Sequence, residues 1–430
     1  MKIEDYVRES IRKVIRQLAL VDDESFPVEL VRTRSREHGD VATNVAMKLA
    51  GTLKKNPKDI ALEIRQALDM DEKLVLKTEI AGPGFINFFY TSDLIYQQLE
   101  AILKQREKYG RNSIGAGEKA QVEFVSANPT GPLTIGHGRQ AVLGDTIANL
   151  LSVCGYDVSR EYYFNDAGRQ MRVLGDSVRL RYLELLGDKV EFPEEFYQGE
   201  YIRDIAQQLK REHGASLRDA EEDPIFKDTA EQVIFEDIKK TLARLGIEFD
   251  SFFNEKSLYD DGKIDDVISR FREKDLAFDQ DGATWLRASG LGLEEDRVIV
   301  KSSGEPTYRL PDIAYHTTKF DRGFDLMVDL FGADHIATYP DVLAGIGALG
   351  YDQSKVRVLI HQFVTLTEGD EKVKMSTRKA NFVTLDELMD LVGEEVTRYF
   401  FLMRGMNSHL NFDLTLASTQ SDENPVYYIQ

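Results

Sequence analysis

Apolar residues change their spacing along this chain, and each change marks an element. Ile3, Val7, Ile11 and Ile15 recur every three or four residues, as do Val41, Val45 and Leu49, which predicts amphipathic helices early in the chain. Leu74 to Ile80 and Phe85 to Tyr90 are strand-like runs on either side of the turn Ala81-Gly-Pro-Gly84. These elements predict a small α+β domain over residues 1–112, followed by the glycine-rich loop Tyr109 to Gly117. From about residue 118 the pattern is strand, helix, strand. Val122 to Val125 reads as a buried strand, and Leu143, Ile147, Leu150, Leu151 and Cys154 read as one face of the helix after it. Gly155 stands where that helix should stop, and Asp157 to Phe164 reads as the next strand. Residues 168–248 are charged and helical in period, and predict a helical insertion between two halves of a sheet. Arg297 to Lys301, Leu326 to Phe331 and Val356 to Phe363 read as short strands of the second half. Strands separated by helices predict an α/β architecture with a doubly wound parallel sheet over residues 118–380, then a helical stem over 381–430. No internal repeat or low-complexity tract interrupts the pattern.

Composition narrows the class. A length of 430 residues allows two or three domains, and a hydrophobic content of 42% is ample for a large core. The net charge of −20, from 74 acidic and 54 basic residues, argues against general nucleic-acid binding, which needs clustered Lys and Arg. A local basic track on an acidic body remains open. Its candidates are Arg32, Arg34 and Arg36; Lys54, Lys55 and Lys58; and Lys372, Lys374, Arg378 and Lys379. Taken alone, any one of these clusters reads as a solvated face. Cys154 is the single cysteine, so the chain forms no internal disulfide and no cysteine metal cluster. No apolar run reaches membrane-spanning length, and Met1 to Ser10 is charged and amphipathic rather than a signal peptide. A cytoplasmic, monomeric protein with no membrane partner is the expectation.

The chemistry concentrates in two places. Asn128-Pro-Thr-Gly-Pro-Leu-Thr-Ile-Gly-His-Gly-Arg139 joins the strand at Val122 to the helix beyond it. A glycine-rich turn between a strand and a helix start suits phosphate, because the free backbone N–H groups of the first helical turn point outward. His137 adds a donor, and Gly136 and Gly138 let the backbone come close. Far downstream lies the basic loop Lys374-Met-Ser-Thr-Arg-Lys379, after another apolar strand. Alone, the turn is often only a turn, His137 a structural histidine and Lys374 a solvated lysine. Together, in this order and each after a strand, they form a double signature far less expected by accident than either element alone.

That double signature resembles class I aminoacyl-tRNA synthetases, and its wording resembles arginyl-tRNA synthetases across nearly the whole chain. Gly39-Asp-Val-Ala-Thr-Asn-Val-Ala-Met47 and Ala81-Gly-Pro-Gly-Phe-Ile-Asn87 are similar to that family's N-terminal, tRNA-elbow-binding domain. Glu123-Phe-Val-Ser-Ala-Asn-Pro-Thr-Gly-Pro132 matches its first catalytic strand and loop. Tyr162 to Gly168, Tyr197 to Ile202, Lys301 to Ala314, Phe331 to His335 and Lys379 to Leu385 look like its further landmarks. The resemblance implies a Rossmann-like catalytic domain. It also implies that Asn424 to Gln430 lead toward a helical anticodon-binding domain outside these residues, by a cut at the junction or by natural shortening.

The implied reaction is ligation of L-arginine to tRNA(Arg) through an arginyl-adenylate, with ATP and Mg2+ as cofactors. Mg2+ would be held by phosphates and water, so no protein metal site is expected. Without a covalent enzyme intermediate, catalysis reduces to positioning and charge stabilisation. The resemblance makes His137, Lys374 and Ser376 the catalytic candidates. It makes Thr134, Gly136, His137, Gly138, Asp334, His335, Lys374 and Met375 the ATP-binding ones. A guanidinium calls for carboxylates, which pair with it bidentately. Glu123 and Asp312 are the candidates, with Tyr308 flanking the group and Ser126, Asn128 and His137 at the amino-acid backbone end. Asp312 without the resemblance reads as a first-turn helix carboxylate, and Glu123 as an ordinary strand residue. Three positions depart from the family pattern. Thr134 replaces the first histidine of its His-x-Gly-His signature, Ile336 stands where many relatives have histidine, and Ala380 replaces a common glycine. These departures keep two alternatives open: a non-catalytic module binding arginine, nucleotide or tRNA, and another nucleotidyl-transferring ligase on the same fold.

Overall fold

The computed structural model describes residues 3–21, 26–220, 223–369, 371–372 and 383–430, which divide into the units Met1–Gly110 and Arg111–Gln430. In the first, α1 (Ile3–Gln17) turns Val7, Ile11, Val14 and Ile15 inward at helical spacing. An antiparallel sheet has the order β1-β2-β4-β3, with β1 Val31–Arg32, β2 Val41–Thr43, β3 Val75–Ala81 and β4 Phe85–Tyr90. The helices α2 (Val45–Leu53), α3 (Pro57–Ala67) and α4 (Ser92–Gln105) complete the unit. Val41 is a correction to the spacing: it pairs with Phe88 in β2 rather than joining a helix. A strand running straight into the Asn44 N-cap of α2 reproduces the helical interval by coincidence.

The second unit begins with β5 (Lys119–Glu123), α5 (Ile135–Val153) and β6 (Asp157–Phe164). The helices α6 (Gly168–Leu185), α7 (Glu200–His213) and α8 (Ile225–Arg244) follow, then β7 (Ser251–Asn254). Next come α9 (Lys256–Asp260), α10 (Lys263–Glu273), β8 (Ala277–Gln280), β9 (Ala283–Leu286) and β10 (Arg297–Val300). Then follow α11 (Arg309–Asp321), β11 (Leu326–Gly332), α12 (Tyr339–Ala348) and β12 (Val356–His361). The last elements are β13 (Val364–Glu368), β14 (Glu371–Lys372), α13 (Leu385–Val392), α14 (Glu394–Leu402), β15 (Leu410–Asp413), α15 (Leu414–Ser418) and α16 (Pro425–Ile429).

The central sheet has the order β12-β11-β5-β6-β7, and every pair in it is parallel. The chain winds outward from β5 in one direction and from β11 in the other. Where those directions diverge, the loops at the carboxyl ends of β5 and β11 leave a crevice, the usual ligand position in such sheets. Two expectations about the sheet need correction. The helices α6 to α8 lie inside the β6-to-β7 crossover and not between the two halves. Strand β10 belongs to a separate antiparallel sheet, β10-β9-β8, whose hairpin turn needs no helical crossover. The region expected to be a helical stem also contributes β15, which pairs parallel with β13.

Helix α5 determines the geometry of the crevice. Its buried side carries small residues, Gly138, Ala141, Gly144 and Ala148, and Leu150 is 59% exposed, contrary to the apolar stripe read from spacing. A Cβ on Gly144 would lie 2.2 Å from Phe124, the residue just past β5, so the helix can approach the sheet only without one. Among the described residues no helix is long and apolar enough to cross a membrane.

Candidate active site

Immediately after β5 the backbone takes a strained path. Val125 and Ser126 have φ of +68° and +45°, and Ser126 N–H bonds back to Phe124 O at 3.0 Å. A β-branched residue in this conformation costs on the order of 1–3 kcal/mol and persists only where its surroundings enforce it. The enforcement is visible. Ser126 Oγ donates to Glu123 Oε1 at 3.1 Å and accepts from Tyr163 N–H at 3.2 Å. Asn128 Oδ1 accepts from Asn165 N–H at 3.0 Å, and Tyr162 and Tyr201 donate to the carbonyls of Ala127 and Thr130. The turn therefore throws Ser126 and Asn128 into the crevice.

The start of α5 forms the second wall. Thr134 is its N-cap and closes a capping box with His137. Thr134 N–H donates to His137 Nδ1 at 3.2 Å, which makes Nε2 the protonated nitrogen and the donor left for a ligand. Burial, and then the neighbouring His361, push the His137 pKa down to about 4, so the ring is neutral at physiological pH. The Arg139 guanidinium, on the opposite side of α5, ties the helix down. It donates to the carbonyls of Gln362 at 2.7 Å and of Gly405 and Ser408 at 3.1 Å.

Helix α11 forms the third wall through Asp312, Tyr315 and His316, with Lys319 a turn deeper. Lys319 Nζ is fully buried and bonds Glu123 Oε2 at 2.7 Å and Asp329 Oδ1 at 2.6 Å. Burial opposes its charge, but Asp329 and Glu123 outweigh it and hold its pKa above the ordinary lysine value. Asp312 differs: among the described residues no hydrogen-bond donor or cation contacts its carboxylate. Burial, with the nearby Glu123 and Glu255 carboxylates and against His316 and Lys319, pushes its pKa up to about 7. Glu255 follows β7 and accepts from Tyr163 Oη and Asn165 Nδ2, both at 2.7 Å. Burial raises its pKa too, despite those donors.

The three walls enclose one cleft of ≈ 660 Å³, which Glu255, Gly136, Tyr308, Asp334, His335 and His361 also border, a size typical of sites that enclose small ligands. The cleft thus brings together Glu123, Ser126, Asn128, Thr134, Gly136, His137, Tyr308, Asp312, Asp334 and His335. Three sequence expectations change. Gly138 faces inward: a Cβ there would meet Leu385 at 2.6 Å and Phe401 at 3.0 Å, so its smallness serves packing of α5 on α13 and α14. Glu123 borders the cleft, but Lys319 and Ser126 already occupy its carboxylate oxygens. The Tyr308 ring is 86% exposed at the mouth. Lys374, Met375, Ser376 and Ala380 lie outside the described residues.

Sequence reasoning did not single out Glu255, Tyr315, His316, Lys319, Asp329 or His361. Asp312, Tyr315, His316 and Lys319 share one face of α11 at i, i+3, i+4 and i+7, a polar stripe in a largely buried helix that the sequence does display. Among the described residues no group of three or more His, Cys, Asp or Glu side chains is placed to hold a metal. A second depression of ≈ 680 Å³ lies along α6 and α8, lined by both signs of charge and by none of these residues.

Comparison with known proteins completes the picture. The family described as tRNA synthetases class I (R), catalytic domain, matches residues 98–410, and the arginyl tRNA synthetase N terminal domain matches residues 3–90. A protein of Desulfotalea psychrophila named arginine–tRNA ligase is 56% identical over 94% of this chain and 73% of its own length. One of the same name from Salinibacter ruber is 51% identical over 100% of this chain and 79% of its own length. The Thermus thermophilus arginyl-tRNA synthetase structure shares the fold, with a TM-score of 0.68 at 19% identity over 98% of this chain and 79% of that one. Matches of this extent in both units, with a cleft at the carboxyl ends of β5 and β11, make the chain a member of the class I arginyl-tRNA synthetase family.

Proposed function

We propose that this chain ligates L-arginine to tRNA(Arg) in two steps at the α5 cleft, using ATP, in the cytoplasm. The observation that carries the reading is the pairing of opposite electrostatics in one cavity. Asp312 and Glu255 are carboxylates with no cationic partner among the described residues. The N-terminus of α5 and the neutral His137 present donors a short way along the same cleft. The first half suits a guanidinium, the second a phosphate chain.

In the first step a carboxylate oxygen of arginine attacks the α-phosphorus of ATP. A C–O–P bond forms, the bond from the α-phosphorus to its bridging oxygen breaks, and pyrophosphate leaves. In the second step a terminal ribose hydroxyl of the tRNA attacks the arginyl carbonyl and AMP departs. Asp312 and Glu255 hold the guanidinium. Ser126 and Asn128 orient the backbone end, which Glu123 borders. His137 Nε2–H and the backbone around Gly136 meet the phosphates, and Asp334 and His335 border the nucleoside. Lys374 would add a point charge for the departing pyrophosphate, with Met375 and Ser376 beside it in the same loop. In support, Leu385 N–H bonds Leu133 O at 2.8 Å and Thr384 bridges Thr134, so the chain following that loop is fastened to the turn bearing His137. Magnesium would be held by the phosphates and water, since among the described residues no group of three or more His, Cys, Asp or Glu side chains is placed to hold a metal.

Arginine-dependent exchange between ATP and pyrophosphate, measured with and without tRNA, tests the reading. Wild-type exchange with arginine and no other amino acid is expected. Lys374→Ala should lose about 10²–10³ in kcat, on the order of 2.7–4 kcal/mol of transition-state stabilisation. Absence of exchange under both conditions would favour a binding module instead.

A further inference from the structure

We propose that Lys319 is a positioning residue for the arginine site: a resident cation behind the cleft wall that fixes Glu123, compensates the Glu123–Asp329 pair and so directs the substrate's positive charge to Asp312 and Glu255. The inference rests on the functional reading above and deepens it. It begins with the sheet. Strands β5 and β11 are neighbours, and Glu123, at the carboxyl end of β5, is the register partner of Asp329 midway along β11. Both side chains point into the buried space under α11, where adjacent carboxylates repel. Lys319 reaches from α11 between them, with Nζ 2.7 Å from one and 2.6 Å from the other and 4.3 Å above the Tyr315 ring.

Every other charged or titratable group facing this cluster has its own arrangement. On α11, His316 Nε2 lies 2.8 Å from the second Asp329 oxygen, and its Nδ1 donates to Asp312 O at 2.7 Å. From β6, Glu161 is bound by Tyr315 Oη at 2.6 Å and by Arg322 at 2.5 and 2.8 Å. Tyr163 of β6 is bound to Glu255. Asp312 and Glu255 are the carboxylates left to answer a substrate cation. Buried ion pairs add little net stability compared with apolar packing of the same volume. The electrostatic contribution of Lys319 is therefore to the cavity: it decides which carboxylates arginine finds already compensated.

The test uses the full chain in tRNA aminoacylation, with KM for arginine and for ATP measured at neutral pH. Lys319→Met should raise KM for arginine about tenfold or more at neutral pH and leave KM for ATP within about twofold. Lys319→Arg should restore most of the arginine affinity. An arginine KM within about twofold of wild type would overturn the proposal. So would equal rises in both KM values, the mark of a packing defect. If Lys319→Met does not fold, Lys319→Met combined with Asp329→Asn removes the surplus charge. That variant should still show the raised arginine KM, and an unchanged value would overturn the proposal. A wild-type chain that charges no arginine would sink the functional reading itself. Active wild type with unaffected variants would sink this inference alone.

Discussion

A carboxyl group without a counter-charge keeps its proton longer, and Asp312 illustrates what that does to a binding site. Its pKa of about 7 describes the cleft before a cation enters. A guanidinium favours the ionised form, so arginine should expel the proton that Asp312 still holds. Affinity should therefore rise with pH up to about 7 and level off above it, since the proton has by then already left. Calorimetry of arginine binding at pH 7, in buffers of different ionisation enthalpy, should show a fractional proton released. Asp312→Asn should abolish that release and raise KM for arginine far more than KM for ATP; equal changes in both would contradict the pairing. Asp312 was legible in the sequence through the family wording of Tyr308 to Ala314. Glu255 was not, because it follows the four-residue strand β7 amid many other acidic residues. Its partial burial in the cleft wall and its hydrogen bonds to Tyr163 and Asn165 distinguish it from a solvated glutamate.

Among the elements, α5 is the most constrained. Its small residues at 138 and 144 are contact points for α13, α14 and β5 rather than sources of flexibility. Gly144→Ala should destabilise the protein by about 1–3 kcal/mol, the usual cost of overpacking. A chemical-denaturation midpoint that moves without a change in slope would show it; an unaltered midpoint would mean that Phe124 yields freely. The parallel strands β5, β6, β11 and β12 were readable because their apolar runs sit between helical stretches. The short antiparallel strands β8 and β9 were missed for the opposite reason: Ala277 to Leu286 is half-exposed and mixed in polarity, and its pairing comes from a turn at Asp281 and Gly282. The burial of α5 was misjudged at Leu150 because the face of a helix flanked by two layers is set by its small residues, which leave no hydrophobic stripe.

At the level of the whole molecule, a body with a net charge of −20 must bind an anionic polymer through local patches. Arg32, Arg34 and Arg36 are exposed in the first unit, whereas Lys55 is paired with Glu63 at 3.1 Å. Binding of tRNA is expected to weaken steeply with salt. Arg34→Glu with Arg36→Glu should flatten the log–log slope by roughly 0.7–0.9 for each phosphate no longer neutralised. A slope unchanged by that pair would make those arginines merely solvated. Arg139 carries a last consequence, one of timing. Its two terminal guanidinium nitrogens are held by carbonyls of Gln362, Gly405 and Ser408, which the ribosome makes long after the helix that bears it. A nascent chain stopped short of those residues would hold the phosphate-facing turn without its clamp, so activity should emerge abruptly once Ser408 is in place rather than grow with chain length.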